Sequence, residues 1–385
     1  MCMNALKICL VSNTAWSFVR FRTDVITSLV KANHEVLLLA PEDEFAGQLV
    51  SLGARVILLK SLSRKGLNPV KDMMLYWEFR RIYATEKPDV IIQYTIKPNI
   101  YSTLAARHYK IPTIAVVTGL GYAFINKGFV TFVARKLYRS AFRKANRVWF
   151  LNHDDFDFFV TRRLVNRQKA LIIPGEGINC LDTFNPELVT VDGEGSLTFK
   201  FLFIGRLLYD KGIAEYVAAG RQIKMKYPNV TFSIVGYLNV DNPTAVQESE
   251  LDTWVQEGWV SYLGAVTDVR PVIANCDCVV LPSYREGMST TLQESAAMSK
   301  PLIATNIAGC KELIDDGRSG FLCHVKDVDS LVSCMERMIN LTPTERQSMG
   351  QNGRDKMIAE YSIARVISIY SETIAEISRF KDRPQ

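Results

Sequence analysis

Short apolar runs alternate with amphipathic stretches along this chain, and this alternation constrains its fold more than any other feature. The apolar runs are typical of strands buried in a parallel sheet, and the stretches between them have the period of a helix. Strands that alternate with helices predict an α/β fold, in which helices cover a doubly wound parallel sheet. The first series comprises predicted strands at 6–12, 35–40, 55–59, 89–93, 112–117, 147–151 and 170–173 and predicted helices at 19–32, 69–85 and 129–145.

A second series of strands follows a turn-rich stretch at 174–198. A single hydrophobic core stops growing near roughly 250–300 residues, so this chain of 385 residues with 48% hydrophobic content predicts two domains rather than one. We expect an N-terminal domain at 1–178, a C-terminal domain at 179–361 and a helical last segment at 362–385. The strands of the second series are predicted at 199–204, 230–235, 259–263, 278–281 and 302–305.

Composition and spacing argue against several protein classes. The formal net charge of +6 comes with neither basic arms nor zinc-finger spacing, which excludes a dedicated nucleic-acid binder. The stretch 12–17 after the first strand contains no glycine, which argues against a dinucleotide-binding dehydrogenase. Eight cysteines without paired CxxC spacing predict reduced core thiols. The apolar run at 6–11 is too short for a secretory leader or a membrane span, so we expect a cytoplasmic protein.

A glycine and two basic residues follow the first strand of the second series. Gly205 and Arg206 come directly after the run 200–204, and Lys211 precedes a helical stretch. An arginine binds phosphate as a bidentate fork, and a lysine binds it as a point charge. This loop is therefore predicted to neutralise a diphosphate and to stabilise the charge of a leaving group.

A second strand-to-helix loop carries carboxylates and backbone donors. Glu286 lies after the run 278–281, and Gly287 permits close backbone approach. At the helix start, residues 288–290 have backbone N–H groups without intrahelical partners, which can hold a phosphate. Glu294 lies further into the helix and is placed to reach a ribose, whereas Glu286 faces the sugar. Such a glutamate pair alone is common on solvated helices, and its occurrence with the basic loop is what predicts a nucleotide-sugar site.

Taken together, these motifs resemble the retaining nucleotide-sugar glycosyltransferases of family 4. The residues that carry the resemblance are Gly205-Arg206-x4-Lys211-Gly212, Leu263-Gly264 with Val266, Leu281-Pro282-Ser283 and Glu286-x7-Glu294. The resemblance implies the GT-B fold, in which two Rossmann-like doubly wound domains face a central cleft and the last helix returns to the first domain. Within the family, the chain is most similar to bacterial enzymes that add α-linked hexosamines to polyprenyl-diphosphate-linked sugars.

The resemblance also implies an activity and a set of site residues. A hexose or N-acetylhexosamine, with α-linked GalNAc or GlcNAc as the preferred assignment, passes from a UDP-sugar to an undecaprenyl-diphosphate-linked saccharide in polysaccharide or glycan assembly. The transfer retains configuration and needs neither a metal nor another cofactor. The catalytic residues implied are Arg206, Lys211 and Glu286. The donor-binding residues implied are Gly205, Tyr237, Val266, Thr267, Gly287, Met288, Ser289, Thr290 and Glu294.

Loops after predicted strands of the first domain carry the candidate acceptor residues. These are Asn13, Thr14, Phe18, Lys97, Thr118 and Gly119, with Gly121 beside them. Two alternatives stay open: Asn13 and Thr14 cap a helix, and Lys97 is a solvated lysine. The loop at 12–18 lacks the Gly-Gly pair that many relatives have, and Thr118 stands near the place of a histidine that many relatives have.

A basic stretch at 127–147 predicts a helix with cationic and apolar surface. Arg135, Lys136, Arg139 and Arg143 supply charge, and Phe129, Phe132, Val133, Leu137, Tyr138 and Phe142 supply apolar surface. Such a helix can lie on an anionic bilayer, and the alternative is a packed helix with a solvated basic face. We expect peripheral attachment to the inner face of the plasma membrane.

Two other functions compete with transfer. One is a UDP-sugar epimerase of the same architecture, and the other is a non-catalytic sugar-nucleotide-binding scaffold. The doublets Asp155-Phe-Asp157 and Asp327-Val-Asp329 have the DxD spacing of metal-binding transferases of another fold, but both lie at predicted helix starts, where capping is expected.

Overall fold

The computed structural model describes residues 5–63, 68–119, 129–190, 198–238 and 240–379, and of residues 129–131 it describes the backbone only. Contacts divide the chain into two compact units. Unit 1 comprises Met1–Glu176 and Ile363–Gln385, and unit 2 comprises Gly177–Ser362.

The sheet of unit 1 is parallel and has seven strands, and each lies where an apolar run predicted it. They are β1 (Lys7–Val11), β2 (Glu35–Pro41), β3 (Arg55–Leu59), β4 (Val90–Tyr94), β5 (Thr113–Val117), β6 (Arg147–Phe150) and β7 (Ala170–Ile172). Their order across the sheet is β3-β2-β1-β4-β5-β6-β7. Every residue of β4 and β5 is buried, as expected for strands covered on both faces. The strand order reverses between β1 and β4, which is where open α/β sheets form a ligand crevice.

In the part of the chain that the structure describes, six α-helices of unit 1 lie before residue 176. They are α1 (Trp16–Phe21), α2 (Thr23–Lys31), α3 (Pro69–Glu86), α4 (Thr103–His108), α5 (Phe129–Lys144) and α6 (His153–Thr161). The prediction of a single helix at 19–32 is wrong, because Arg22 has non-helical dihedrals, with φ −130° and ψ 6°, and separates α1 from α2. The Arg22 side chain is buried, and its Nη1 donates to the Ser17 carbonyl oxygen at 2.9 Å. The break therefore serves a buried contact of this guanidinium.

Unit 2 repeats the design with six parallel strands. They are β8 (Phe199–Ile204), β9 (Val230–Val235), β10 (Ser261–Tyr262), β11 (Cys278–Leu281), β12 (Leu302–Thr305) and β13 (Gly320–Cys323), in the order β10-β9-β8-β11-β12-β13. Strand β13 was not predicted. Its apolar run is only three residues long, 321–323, and the strand begins at Gly320, where a Cβ would lie 2.3 Å from the Leu302 carbonyl oxygen of β12.

The helices of unit 2 connect these strands and cover the sheet. They are α7 (Ile213–Lys226), α8 (Glu248–Gln256), α9 (Arg270–Ala274), α10 (Thr290–Ala297), α11 (Val328–Asn340) and α12 (Pro343–Glu360). A continuous apolar core includes buried residues of β8, β9, β11 and β12 together with the inner faces of α7, α10 and α11. This core holds the loops at the carboxyl edge of the sheet on a rigid support.

The last helix, α13 (Ile363–Ser378), packs in unit 1. Its Tyr370 hydroxyl lies 2.8 Å from the Tyr94 hydroxyl at the end of β4, and its ring meets the Trp149 ring edge-on at 4.7 Å. Ile374 and Ile377 are fully buried. This apolar face explains why the segment folds as a helix against the first sheet.

Candidate functional site

Two loops of unit 2 meet at the carboxyl edge of its sheet. One loop follows β8 and the other follows β11, and these strands are neighbours, with Cys278 paired to Phe201. Gly212 in the first loop has φ +72°, and a Cβ there would lie 2.0 Å from the Pro282 carbonyl oxygen of the second loop. Only glycine combines this dihedral with this approach. The backbone thus fixes the two predicted loops against each other.

The contact brings together two of the three predicted catalytic residues. Lys211 Nζ forms an ion pair with Glu286 Oε1, and Ser283 Oγ donates to the same carboxylate oxygen at 2.8 Å. The Lys211 and Glu286 side chains are 20% and 11% exposed, so the pair is largely shielded from water. An anionic ligand would have to share the Lys211 ammonium with Glu286, a competition that sequence reasoning did not anticipate.

Arg206, the third predicted catalytic residue, lies in the first loop with its side chain exposed. Gly205 beside it is held by Gly236, where a Cβ would lie 1.7 Å from the Gly205 carbonyl oxygen. Tyr237 follows, and its carbonyl oxygen accepts from the Leu207 N–H at 3.1 Å. Gly236 was missed by sequence reasoning, although its position directly after β9 at the same edge was a usable signal.

The start of α10 differs in part from its prediction. Ser289 is the N-cap, its Oγ accepts from the Leu292 N–H at 3.3 Å, and its own N–H donates to the Gly309 carbonyl oxygen at 2.9 Å. The expectation that the Ser289 amide is offered to a phosphate is therefore wrong, because the protein itself uses that amide. Thr290 and Thr291, at the first two helical positions, retain N–H groups without an intrahelical acceptor.

Gly309 supports the Glu286 loop from behind, and sequence reasoning missed it. Its φ is +79°, and a Cβ there would lie 2.8 Å from the Gly287 carbonyl oxygen and 2.9 Å from Glu286 Cβ. The Gly309 N–H donates to Glu312 Oε2 at 2.8 Å. Its place after β12, the strand next to β11, was the available signal.

The remaining predicted donor residues lie around this edge with different exposures. Glu294 is only 3% exposed on α10, and Met288 is half-buried against the core of unit 2. Tyr237 is 58% exposed, whereas Val266 packs partly on the core. Thr267 is exposed in the loop after β10. The described structure therefore gathers these residues at one sheet edge, and their donor-binding roles stay predictions.

A cavity of about 260 Å³ lies at the corresponding edge of unit 1. It collects residues that follow β1, β4 and β5, the strands on either side of the order reversal. Four of the six predicted acceptor residues, Asn13, Lys97, Thr118 and Gly119, line it. The other lining residues are Leu62, Ser63, Thr95, Ile96, Asn99 and Tyr138.

Lys97 in this cavity is neither a solvated lysine nor an unpaired cation. Its Nζ lies 2.8 Å from Asp72 Oδ1 of α3, and the Tyr101 hydroxyl donates to Asp72 Oδ2 at 2.9 Å. Burial, together with the neighbouring Asp72 charge, raises the pKa of Tyr101. Asp72 was missed because it stands in a helical stretch and the contact spans distant parts of the chain.

Two predicted acceptor residues have structural roles instead. Thr14 Oγ1 accepts from the Ser17 N–H at 3.2 Å and so holds the first turn of α1, whose N-cap is Ala15. Phe18 is fully buried, with its ring edge-on to Tyr94 at 6.3 Å, so its assignment to the acceptor is wrong. The N–H groups of Ala15 and Trp16 donate to the Asp43 carboxylate, another residue that sequence reasoning missed. Gly121 lies outside the described residues.

Some side chains of the basic helix α5 are exposed at the surface, and others are buried in the core. Arg135, Lys136, Arg139 and Arg143 are all exposed. Phe132 is 54% exposed beneath the Lys136 ammonium, which lies 4.5 Å from its ring centroid. Tyr138 and Phe142 are buried in the core of unit 1, so their assignment to a bilayer-facing surface is wrong. Residues 127 and 128 and the Phe129 side chain lie outside the described part of the chain.

Helix α3 carries an exposed apolar stripe that sequence reasoning did not single out. Val70, Met73, Met74 and Trp77 have the spacing of one helix face and are 55–68% exposed. The Arg80 guanidinium lies 4.8 Å from the Trp77 ring centroid. No helix within the described ranges has both the length and the hydropathy needed to cross a bilayer.

Of the two acidic doublets, one caps a helix directly. Asp327 is the N-cap of α11, and its Oδ1 accepts from the Ser330 N–H at 2.9 Å. At α6 the cap is Asn152 rather than an aspartate, since Asn152 Oδ1 accepts from the Asp155 N–H at 2.7 Å. Within the described ranges, no group of three or more histidine, cysteine or carboxylate side chains has the arrangement of a metal site.

Comparison with known proteins assigns both halves of the chain to one class. Residues 198–340 match the model described as "Glycosyl transferases group 1", and residues 7–152 match "Glycosyl transferase 4-like". A Campylobacter jejuni N,N'-diacetylbacillosaminyl-diphospho-undecaprenol alpha-1,3-N-acetylgalactosaminyltransferase is 30% identical over 341 residues, covering 85% of this chain and 87% of that protein. An Escherichia coli UDP-Gal:alpha-D-GlcNAc-diphosphoundecaprenol alpha-1,3-galactosyltransferase is 25% identical, covering 81% of each.

Solved structures agree on the fold. A glycosyltransferase from Rickettsia africae matches with a TM-score of 0.80 at 19% identity, covering 99% of this chain and all of that one. Anabaena HepE in complex with UDP matches with a TM-score of 0.79 at 18% identity, covering 96% of this chain and all of that one. At these identities the likeness shows the GT-B fold alone. On the combined sequence matches, the chain belongs to the group 1, family 4-like glycosyltransferases.

Proposed function

We propose that this protein transfers a hexose or N-acetylhexosamine from a UDP-sugar to an undecaprenyl-diphosphate-linked saccharide, with retention and without a metal. An α-linked GalNAc or GlcNAc is the preferred product. The contact of Lys211 with Glu286, fixed by Gly212 against Pro282, is the observation that carries the proposal. The substrates named for the Campylobacter and Escherichia relatives support the choice of donor and acceptor.

In this proposal unit 2 binds the donor. Arg206, Lys211 and the Thr290 N–H neutralise the diphosphate, and Glu294 binds the ribose from its largely buried position. Tyr237, Val266 and Thr267 adjoin the base. The diphosphate competes with Glu286 for the Lys211 ammonium, and negative charge that builds on the leaving group strengthens the attraction between Lys211 and the phosphate. Glu286 then faces the sugar carbon as positive charge develops there.

The transfer occurs on one face of the sugar. The bond from C1 to the diphosphate oxygen breaks while the acceptor hydroxyl oxygen bonds to C1 from the same side. The hydroxyl proton passes to the leaving phosphate oxygen. We assign Glu286 as an orienting and charge-stabilising group rather than as a nucleophile, by comparison with retaining glycosidases, which pair their nucleophile with a second carboxyl group about 5 Å away as acid.

Unit 1 binds the acceptor through the cavity that Asn13, Lys97, Thr118 and Gly119 line. Helix α5 attracts an anionic bilayer surface through Arg135, Lys136, Arg139 and Arg143, each contributing about 1 kcal/mol near such a surface. The exposed stripe on α3 supplies apolar area for the same contact. Peripheral attachment to the inner face of the plasma membrane follows from a lipid-linked acceptor.

The test is incubation with a panel of UDP-sugars, with and without short polyprenyl-diphosphate-linked saccharides, in EDTA, with products read by mass spectrometry. Transfer to lipid supports the proposal. Isomerised donor without acceptor would instead favour the epimerase, and donor binding without any turnover would favour the scaffold. Lys211→Ala should lower kcat/KM by roughly 10²–10³-fold, as removal of other charge-stabilising donors does. Lys226→Ala, on the exposed face of α7, is the matched control and should leave kcat/KM unchanged.

The membrane part of the proposal has a separate test. Replacing Arg135, Arg139 and Arg143 by glutamine removes about 3 kcal/mol of attraction, which is roughly a hundredfold in partitioning onto anionic vesicles. Trp77→Ser should also weaken sedimentation, and donor binding should not change. Equal sedimentation of all variants with the parent would contradict the membrane assignment.

A further inference from the structure

The Glu286 carboxylate has two protein donors, and both bond to the same oxygen. Lys211 Nζ pairs with Oε1, and Ser283 Oγ donates to Oε1 at 2.8 Å. Within the described residues no group donates to Oε2, so that oxygen is available to a ligand. A carboxylate only accepts hydrogen bonds, and a largely buried one is costly to leave without donors. The two donors therefore set the direction in which Glu286 presents its charge.

The two donors differ in how firmly the fold holds them. Lys211 carries its ammonium at the end of a long, flexible stem that comes from the other loop. Ser283 is fully buried, and a single side-chain torsion places its hydroxyl. The Ser283 carbonyl oxygen accepts from the hydroxyl of Thr305, which is itself fully buried at the end of β12. Ser283 is thus fixed by its neighbours whether or not Lys211 stays in place.

The two donors also differ in charge. The Lys211 ammonium compensates the negative charge of Glu286, whereas the Ser283 hydroxyl is neutral and leaves that charge in place. When a diphosphate draws Lys211 away, Ser283 is the donor that remains on Oε1 among the described residues. The carboxylate then keeps both its orientation and its full negative charge. A fixed negative charge of this kind is what stabilises positive charge that develops on the sugar carbon.

We propose that Ser283 is a positioning residue, whose hydroxyl retains Glu286 Oε1 while Lys211 turns to the donor diphosphate. This inference rests on the proposed function, in that the diphosphate is the group that competes for Lys211. Without the hydroxyl, release of Lys211 leaves a largely buried carboxylate with no protein donor among the described residues. Diphosphate binding then becomes less favourable, although the fully buried Ser283 does not itself touch the ligand.

The test measures the affinity of the full chain for UDP by isothermal titration calorimetry in EDTA, so it does not depend on turnover. The parent, Ser283→Ala, Glu286→Ala and the double variant form a double-mutant cycle. Ser283→Cys keeps nearly the same side-chain shape but has only a weak donor, so it separates loss of the hydroxyl from loss of packing. Ser319→Ala is the matched control, because Ser319 is equally buried in unit 2 and its Oγ accepts from the Asp315 N–H at 2.9 Å.

We expect Ser283→Ala and Ser283→Cys each to weaken UDP binding about tenfold, the effect of one hydrogen bond to a charged group. Glu286→Ala should bind UDP at least as tightly as the parent, because Lys211 then has no competing carboxylate. In the Glu286→Ala background, Ser283→Ala should change the affinity by less than about twofold, since its effect passes through the carboxylate. Ser319→Ala should bind UDP as the parent does.

Three results would overturn the inference and leave the proposed function standing. In the first, Ser283→Ala and Ser283→Cys bind UDP as tightly as the parent. In the second, Ser283→Ala weakens binding equally with and without the Glu286 carboxylate, which would indicate a general effect on folding. In the third, Ser319→Ala weakens binding as much as Ser283→Ala does. Absence of UDP binding by the parent would overturn the donor site of the proposed function together with this inference.

Discussion

Replacing Arg22 by methionine is expected to destabilise unit 1 strongly. Arg22 is 3% exposed, and its Nη2 forms an ion pair with Glu176, whose side chain is 11% exposed. Its guanidinium also lies 3.7 Å from the Tyr94 ring centroid. Glu176 is the last residue of unit 1 before the chain enters unit 2, so this buried pair ties the end of the first segment to the helix break at Arg22.

The size of the expected destabilisation follows from the burial of the Arg22–Glu176 ion pair. Removing one partner of a buried ion pair costs about 3–5 kcal/mol, because the other charge stays buried and unpaired. Unit 1 has roughly 200 residues, and for domains of that size 1 kcal/mol shifts Tm by about 2–4 °C. We therefore expect Arg22→Met to lower the Tm of unit 1 by roughly 10 °C. The exposed pair of Arg147 and Glu376, also in unit 1, is the matched control, and Arg147→Met should cost about 0–1 kcal/mol.

The destabilisation should depend on pH in a defined direction. Burial raises the pKa of Glu176, and Arg22 opposes that rise. Without Arg22, the folded-state pKa of Glu176 lies further above its unfolded value. Stability from such a group is present below the unfolded pKa and is lost as pH rises through the folded pKa. Arg22→Met should therefore be closer to the parent at pH 5 than at pH 8.

Scanning calorimetry at both pH values tests this reasoning. Arg22→Met/Glu176→Leu removes both charges and should recover most of the lost stability, since an apolar pair can replace a buried ion pair. A single variant that melts with the parent, or a double variant that is no more stable than the single one, would contradict the stabilising role of the buried ion pair.

Two further predictions concern a glycine and a histidine. Gly236→Ala would set a Cβ 1.7 Å from the Gly205 carbonyl oxygen, so we expect loss of folded unit 2 or of UDP binding. Gly258→Ala is the control, because Gly258 has φ +76° but open space around its Cβ. This substitution should lower the unfolding free energy, measured with denaturant, by only about 1–2 kcal/mol. Buried His34 accepts from the Leu6 N–H through Nδ1, and burial lowers its pKa, so the unfolding free energy should fall as pH drops below about 6.5. In His34→Gln that part of the pH dependence should disappear.

Local pattern was sufficient for most of the fold because a strand buried on both faces is marked by its own apolar residues. Strand β13 was not predicted because its apolar run covers only residues 321–323, and its close approach to β12 at Gly320 is seen only in the folded chain. The break at Arg22 depends on Glu176 in the same way. Local pattern identifies a residue type at a position and does not identify its partner across the fold.

The candidate site residues were also predicted only where local pattern was sufficient. The loops of Lys211 and Glu286, each after a strand and before a helix, were predicted to form one nucleotide-sugar site, and the structure brings them together because β8 and β11 are neighbours. Phe18 was misassigned because its side chain turns into the core, and Asp72 was missed because only the folded chain brings it to Lys97. The roles of the donor residues stay predictions.

Chemical labelling of the described cysteines can report partial unfolding of the protein. All seven are buried free thiols, and burial raises the pKa of each. Because the thiolate is the nucleophile, an alkylating reagent should reach them only after the surrounding unit opens. Of the described cysteines, unit 1 contains Cys9, and unit 2 contains the other six, Cys180, Cys276, Cys278, Cys310, Cys323 and Cys334. With Cys2, which lies outside the described residues, replaced by serine, a mass increment of one label would identify opening of unit 1, and an increment of six would identify opening of unit 2.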